Sequence, residues 1–230
     1  MRRRKFIAGL ASTTVVWSVA ARAQQPERVR RIGVLLPTAD DQEARIRLTT
    51  FQQALQGFGW TDGRNVHIEI RVSAGKAADT RKYAAELAAL APDVILAVGS
   101  AGLPPVLQAT QTVPIVFVVV PDPVGSGFVH SLSQPGGNAT GFMMFEYNLC
   151  GKWVELLKEI APRVTRAAVL RDPAVTAGIG QFAVIQSVAP SVGVDVSPIN
   201  LGDAAEIERE RAIRQWWSDL DGKRIVAGTS

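Results

Sequence analysis

Three unbroken apolar runs constrain this chain more than any other feature: Ile32-Gly-Val-Leu-Leu36, Val94-Ile-Leu-Ala-Val98 and Ile115-Val-Phe-Val-Val-Val120. Runs of five or six residues without polar alternation suit strands covered on both faces, and such strands belong to parallel sheets. Between them the spacing becomes helical. Leu48, Phe51, Leu55 and Phe58 share one face, and Tyr83, Leu87 and Leu90 share another. Strand and helix in alternation predict an α/β fold, a parallel sheet joined by right-handed crossovers. Asn65 to Val72 alternates instead, with His67, Glu69 and Arg71 on the polar side, which predicts a strand near a sheet edge. His67 reads as a surface histidine.

Local signals set the expected boundaries. Pro37 stops the first strand, and Asp40 or Asp41 caps the next helix with Glu43 in its first turn. Gly57 and Gly59 end that helix. Asp79 is expected to cap the second, which stops before Pro92, and Pro104 and Pro105 to occupy the first turn of the third. A short helix over Val124 to Leu132, a turn at Pro135 to Asn138 and a brief strand over Ala139 to Phe142 follow. The rhythm then restarts. Leu149, Trp153, Leu156 and Ile160 share a helix face; Arg166 to Leu170 is a strand; Gly180 to Val188 is helical. Val192 to Val196 and Ile225 to Ala227 read as strands, with a helix from Asp203 to about Leu220 between them. A domain change between Met143 and Leu149 gives a first lobe over 24–145 and a second over 146–230.

The amino terminus carries a different signal. A positive segment, Met1 to Lys5, precedes an apolar stretch from Phe6 to about Ala20, and Ala21-Arg22-Ala23 offers small residues to signal peptidase. The stretch is shorter than the ~20 residues a helix needs to cross a bilayer. Arg3 and Arg4 match the twin-arginine export pattern. The expectation is a signal peptide over 1–23, cleavage after Ala23, and a periplasmic product with no stable membrane insertion. Five of the 25 Lys and Arg residues lie in that leader, leaving 20 against 21 acids, so the basic surplus is not a property of the body. Nucleic acid is therefore not an expected partner.

Catalytic patterns are missing from the sequence. Cys150 is the single cysteine and the two histidines, His67 and His130, are far apart, which gives no metal or Cys/His set. Gly99-Ser-Ala-Gly-Leu-Pro lacks the spacing of a dinucleotide fingerprint, and no Gly-x-Ser-x-Gly elbow occurs. Asp40-Asp41 and Asp219/Asp221 fit helix ends, and Trp216-Trp217 fits packing with Ile213 and Leu220. The expectation is no enzyme and no cofactor. In open parallel sheets, ligands bind beyond the carboxyl ends of the strands, near helix N-termini. That rule selects Thr38, Ser100, Ala101, Asp122, Pro123, Phe142 and Asp172 as candidate ligand contacts, with Met144 beside Phe142. Small residues near Ser100 admit a carboxylate or similar anion; Asp122 can accept from a ligand amine; Phe142 offers apolar contact. Asp122 and Asp172 each precede proline, and a turn role fits them equally well.

Several blocks carry a family resemblance. Phe58-Gly-Trp-Thr-Asp-Gly-Arg-Asn-Val66, Ala91-Pro-Asp-Val-Ile95, Asp122-Pro-Val-Gly-Ser-Gly-Phe128 and Gln134-Pro-Gly-Gly-Asn-Ala-Thr-Gly141, in this order, resemble the ABC-transporter substrate-binding family whose better-known relatives bind aromatic amino acids. Lys152-Trp-Val-Glu-Leu-Leu-Lys158 and Arg171-Asp-Pro173 extend the likeness. The resemblance implies a two-lobed type I periplasmic-binding-protein fold that closes on a small molecule by hinge motion, and a partner permease in the inner membrane. It also implies a longer second lobe than this sequence contains, so the chain is expected to be C-terminally truncated. A ligand sensor for a receptor, or a non-functional truncated member, is the alternative reading.

Overall fold

The computed structural model describes residues 28–38 and 42–200. Its first half is β1 (Arg30–Leu36), α1 (Gln42–Gly57), β2 (Val66–Val72), α2 (Ala77–Ala89), β3 (Val94–Val98), α3 (Gly99–Ala109), β4 (Ile115–Val120) and β5 (Ala139–Met143). The five strands form one parallel sheet in the order β2-β1-β3-β4-β5. β2, the alternating strand, lies at the edge as its pattern predicts. The second half is α4 (Leu149–Ile160), β6 (Arg166–Arg171), α5 (Thr176–Val188), a 3₁₀ turn (Ala189–Val192) and β7 (Asp195–Asn200), with β6 and β7 paired in parallel.

The period-two geometry of β1 divides the core. Leu35 faces Leu87 of α2 and Leu103 and Val106 of α3, all fully buried. Val34 faces the other way, toward Leu48, Phe51 and Leu55 of α1. Each such side chain contributes about 1.5–3 kcal/mol on burial, so helices on both faces hold the central strands. A smaller cluster, Cys150, Val154, Ile185, Ala189 and Val194, joins α4 and α5 to the second sheet.

Several boundaries differ from expectation. Phe58 is 83% exposed because α1 has already ended. Gly59 turns the chain at φ 86, with Gly59 N–H donating to Gln56 O and Trp60 N–H to Leu55 O. Asp79 is the third residue of α2 and not its cap, which is Lys76. Pro104 and Pro105 lie inside α3, since that helix starts directly at Gly99; they withhold the N–H groups that would reach the Ser100 and Ala101 carbonyls. The segment after β4 forms turns instead of a helix over 124–132. Asp122 accepts there, Gly127 takes φ 73, and Pro123 offers no N–H. β4 is interrupted by Val119, at φ 60 and 40% exposed, where its register with β5 shifts. Pro190 and left-handed Gly193 delay the last described strand to Asp195–Asn200. On α4 the buried side is Cys150, Gly151 and Val154, while Leu149, Trp153, Leu156 and Ile160 are exposed. The leader, Asp40 and Asp41, the helix from Asp203, Trp216-Trp217 and the strand at Ile225 lie outside the described residues.

Candidate functional site

The carboxyl ends of β1 and β3 lie side by side, with Leu35 and Ala97 as their last paired residues. Three residues beyond each stand Thr38 and Ser100. Both hydroxyls are buried without a hydrogen-bond partner, and Ser100 is only 9% exposed. A buried unpaired hydroxyl costs about 1–3 kcal/mol, so each position carries a cost that a further hydrogen-bond partner would relieve. Ser100 is the second residue of α3, whose N-terminus has no side-chain cap; its first N–H groups and the positive end of the helix dipole lie at the same strand ends. Gly99 makes the sharp entry at φ 72. Buried Pro37 packs beside Gly102, where a Cβ would stand 3.4 Å from the proline ring.

Other candidates lie at the same end of the sheet. Ala101 is exposed in the first turn of α3, and Pro123 is buried. The Asp122 carboxylate is occupied by the backbone: Gly125 N–H donates to Oδ1 at 2.7 Å and Tyr147 N–H to Oδ2 at 3.2 Å. The turn role is therefore realised, and each oxygen keeps one lone pair for a further donor. Phe142 and Met144, at the end of β5, are 74% and 61% exposed. Asp172 follows β6 in the second sheet, where its Oδ1 accepts from Ala174 N–H at 2.8 Å. It is thus a turn residue in a different part of the chain from the Thr38–Ser100 pair.

One residue escaped the sequence reading. Tyr147, 7% exposed, places its hydroxyl 2.6 Å from Ser126 Oγ. Burial pushes its phenol above the usual range, and the Asp122 charge adds to that shift. An aromatic inside an expected interdomain linker was the available signal. Cys150 is buried, which raises its thiol above the ordinary range and makes it a packing residue. Among the described residues, no group of His, Cys, Asp and Glu side chains is arranged to hold a metal ion, and no helix is long and apolar enough to cross a membrane.

A five-stranded parallel sheet covered on both faces and a second parallel sheet after a short link are the arrangement expected of the type I periplasmic-binding-protein class. The family model for ABC transporter substrate binding proteins matches residues 31–226, and the chain belongs to that family. Over 120 residues it is 31% identical to a tyrosine-binding protein of Clostridioides difficile, covering 52% of this chain and 34% of that protein. A conserved domain protein from Vibrio cholerae superposes with a TM-score of 0.71 at 24% identity, over 79% of this chain and 60% of the other. An ABC domain from Streptococcus pneumonia in complex with L-Trp gives 0.68 at 24% identity, over 77% and 59%. These two likenesses establish the fold. The chain spans about a third of the curated relative and about 60% of each solved chain.

Proposed function

We propose that this chain captures a small carboxylate-bearing solute, an amino acid or a related compound, for an ABC importer. The two lobes are 24–145 and 146–230, and the ligand lies at the strand ends of the first. The single observation that carries the proposal is the pair of buried, unpartnered hydroxyls of Thr38 and Ser100 at an uncapped helix N-terminus. A carboxylate accepts from hydroxyls and from helix N–H groups alike, and its charge is favoured at that end of the dipole. Exposed Phe142 and Met144 suit an apolar or aromatic side group, and the lone pairs left on Asp122 suit an ammonium. Ala101, exposed in the first turn of α3, lines the approach, and buried Pro123 shapes the turn that carries Asp122. Asp172 would contact the ligand from the second lobe when the lobes close. The names of the relatives, a tyrosine binder and a tryptophan complex, agree with this chemistry.

The same reading places the protein in the periplasm, exported through its twin-arginine leader, cleaved after Ala23, and delivering its ligand to a membrane permease. Isothermal titration of the chain with L-tyrosine, L-tryptophan, L-leucine and benzoate tests the binding claim. Saturable binding of at least one, lost in Ser100→Trp, is the expected result. No binding by any of the four would overturn the assignment of ligand class. Intact mass of periplasmic material, beginning at Gln24, tests the export route. Arg3→Lys with Arg4→Lys should block export.

A further inference from the structure

Tyr147 lies where the chain leaves the first sheet for the second, and it is held from both sides. On one side stands the turn after β4. Ser126 Oγ is 2.6 Å from the Tyr147 hydroxyl, and Asp122 Oδ2 accepts the Tyr147 N–H at 3.2 Å. That turn is closed on itself, since Gly125 N–H donates to Asp122 Oδ1 at 2.7 Å and Ser126 N–H to Asp122 O at 2.9 Å. It is also tied to the departing chain, with Asp122 N–H donating to Phe145 O at 2.8 Å and Met144 N–H to Val120 O at 2.9 Å. On the other side stands α5 of the second half. A Cβ on Gly180 would lie 2.3 Å from Tyr147 Cε2 and 2.7 Å from Cζ, so the ring rests directly on the helix backbone. Glycine weakens a helix interior relative to alanine, and this contact accounts for its presence there.

We propose that Tyr147 is a positioning residue, a pivot whose ring bears on Gly180 and whose hydroxyl is stopped by Ser126, and that it sets the angle at which the second lobe meets the strand-end site. The proposal rests on the reading of the chain as a two-lobed solute binder. Hinges in such proteins are a few positions at the ends of elements, and a ring against a bare helix surface presents no Cβ ridge to block rolling. The Tyr147–Ser126 hydrogen bond selects one position of that roll.

The test uses the chain with spin labels on Gln108→Cys in α3 and Gln186→Cys in α5, both exposed positions, the native Cys150 being buried. Electron–electron distance measurements on the unliganded protein should give one narrow distribution. Tyr147→Phe and Ser126→Ala should each shift or broaden it, the double variant should do no more than either single one, and Ser126→Thr should restore it. A distribution unchanged in Tyr147→Phe, or additive effects in the double variant, would overturn the pivot. Gly180→Ala, which displaces the ring, should produce a larger change in the same distance. This readout needs no ligand and therefore stands apart from the functional reading. Where L-tyrosine binds the parent chain, Tyr147→Phe should weaken it about two- to tenfold, the span of one neutral hydrogen bond. If the parent chain binds no L-tyrosine, that ligand assignment fails while the distances still decide the pivot.

Discussion

Replacing Ser100 by alanine should move stability and binding in opposite directions. The hydroxyl is buried, 9% exposed as a residue, and bonded to nothing. Removing it relieves a desolvation cost of about 1–3 kcal/mol and leaves a void no larger than one oxygen. In a chain of this size a gain of about 1 kcal/mol raises Tm by ~2–4 °C. Binding should suffer, because a hydrogen bond to a charged group is worth about 1.5–3 kcal/mol. At 1.4 kcal/mol per decade, the dissociation constant should rise roughly 10- to 150-fold. Differential scanning fluorimetry of the unliganded variant and titration with L-tyrosine read the two effects separately. Thr38→Val should behave alike, and the double variant should lose less than the sum if both hydroxyls hold one ligand group. A lowered Tm with unchanged affinity would refute the reasoning, since the hydroxyl would then serve the fold alone.

Other substitutions probe the frame. Gly141→Ala should cost more than about 3 kcal/mol in urea unfolding, because its Cβ would stand 2.0 Å from the Phe117 carbonyl oxygen across the β4–β5 pair. A loss below 1 kcal/mol would show that β5 moves freely. Phe117→Ala, in the centre of the larger core, should cost about 3–5 kcal/mol by the same measurement. Asp93 accepts from Arg31 N–H at 2.8 Å and from Arg30 Nη1 at 2.9 Å, with Arg28 nearby, which holds its carboxyl below the ordinary carboxylate range. Its contribution is therefore full above that ordinary range and lost as pH falls through the lowered folded value. The stability gap between the parent chain and Asp93→Asn should close in that acid window. A gap independent of pH would assign the effect to packing.

The sheet was readable because its strands are extreme cases. Leu35, Ile95, Ile115 and Phe117 sit in runs that only a doubly covered strand can bury, and the polar face of β2 marks the edge. The errors cluster where tertiary contacts override local preference. Prolines 104 and 105 pointed to a helix start, yet α3 begins at Gly99 because the chain turns immediately out of β3. The segment from Val124 to Leu132 reads as a short helix, but the Asp122 carboxylate captures the Gly125 N–H and closes a turn there. The apolar stripe Leu149, Trp153, Leu156 and Ile160 was legible as a stripe, while its direction was not. Val188 stands 3.1 Å from where a Cβ on Gly151 would be, so the small side of α4 faces α5. The loops of the site could be chosen from topology alone. That Thr38 and Ser100 are left unsatisfied, and that Tyr147 links two halves, depends on distances no pattern contains.

The two ends of the first sheet are built on opposite terms. At the amino ends polar side chains are occupied. Asn65 bridges Thr61 N–H and Gly59 O, Asn138 reaches the Thr110 and Val113 carbonyls, Asp62 accepts from Ile68 N–H, and Asp93 gathers the arginines. At the carboxyl ends lie both orphaned hydroxyls and three of the four described non-glycine residues with positive φ, namely Ala74, Val119 and Asp122; Ala91 is the exception at the far end. A β-branched residue such as Val119 in that region is an outlier costing about 1–3 kcal/mol. A surface under selection for stability alone has simple remedies for three of these five features: alanine at 100, valine at 38, glycine at 119. Their accumulation at one end of one sheet follows if that end is completed by something outside the chain. A bound solute would satisfy the hydroxyls, and its binding free energy would offset the strain. Ligand-induced stabilisation should then be larger in the parent chain than in a Val119→Gly, Ser100→Ala variant, even where the latter melts higher unliganded.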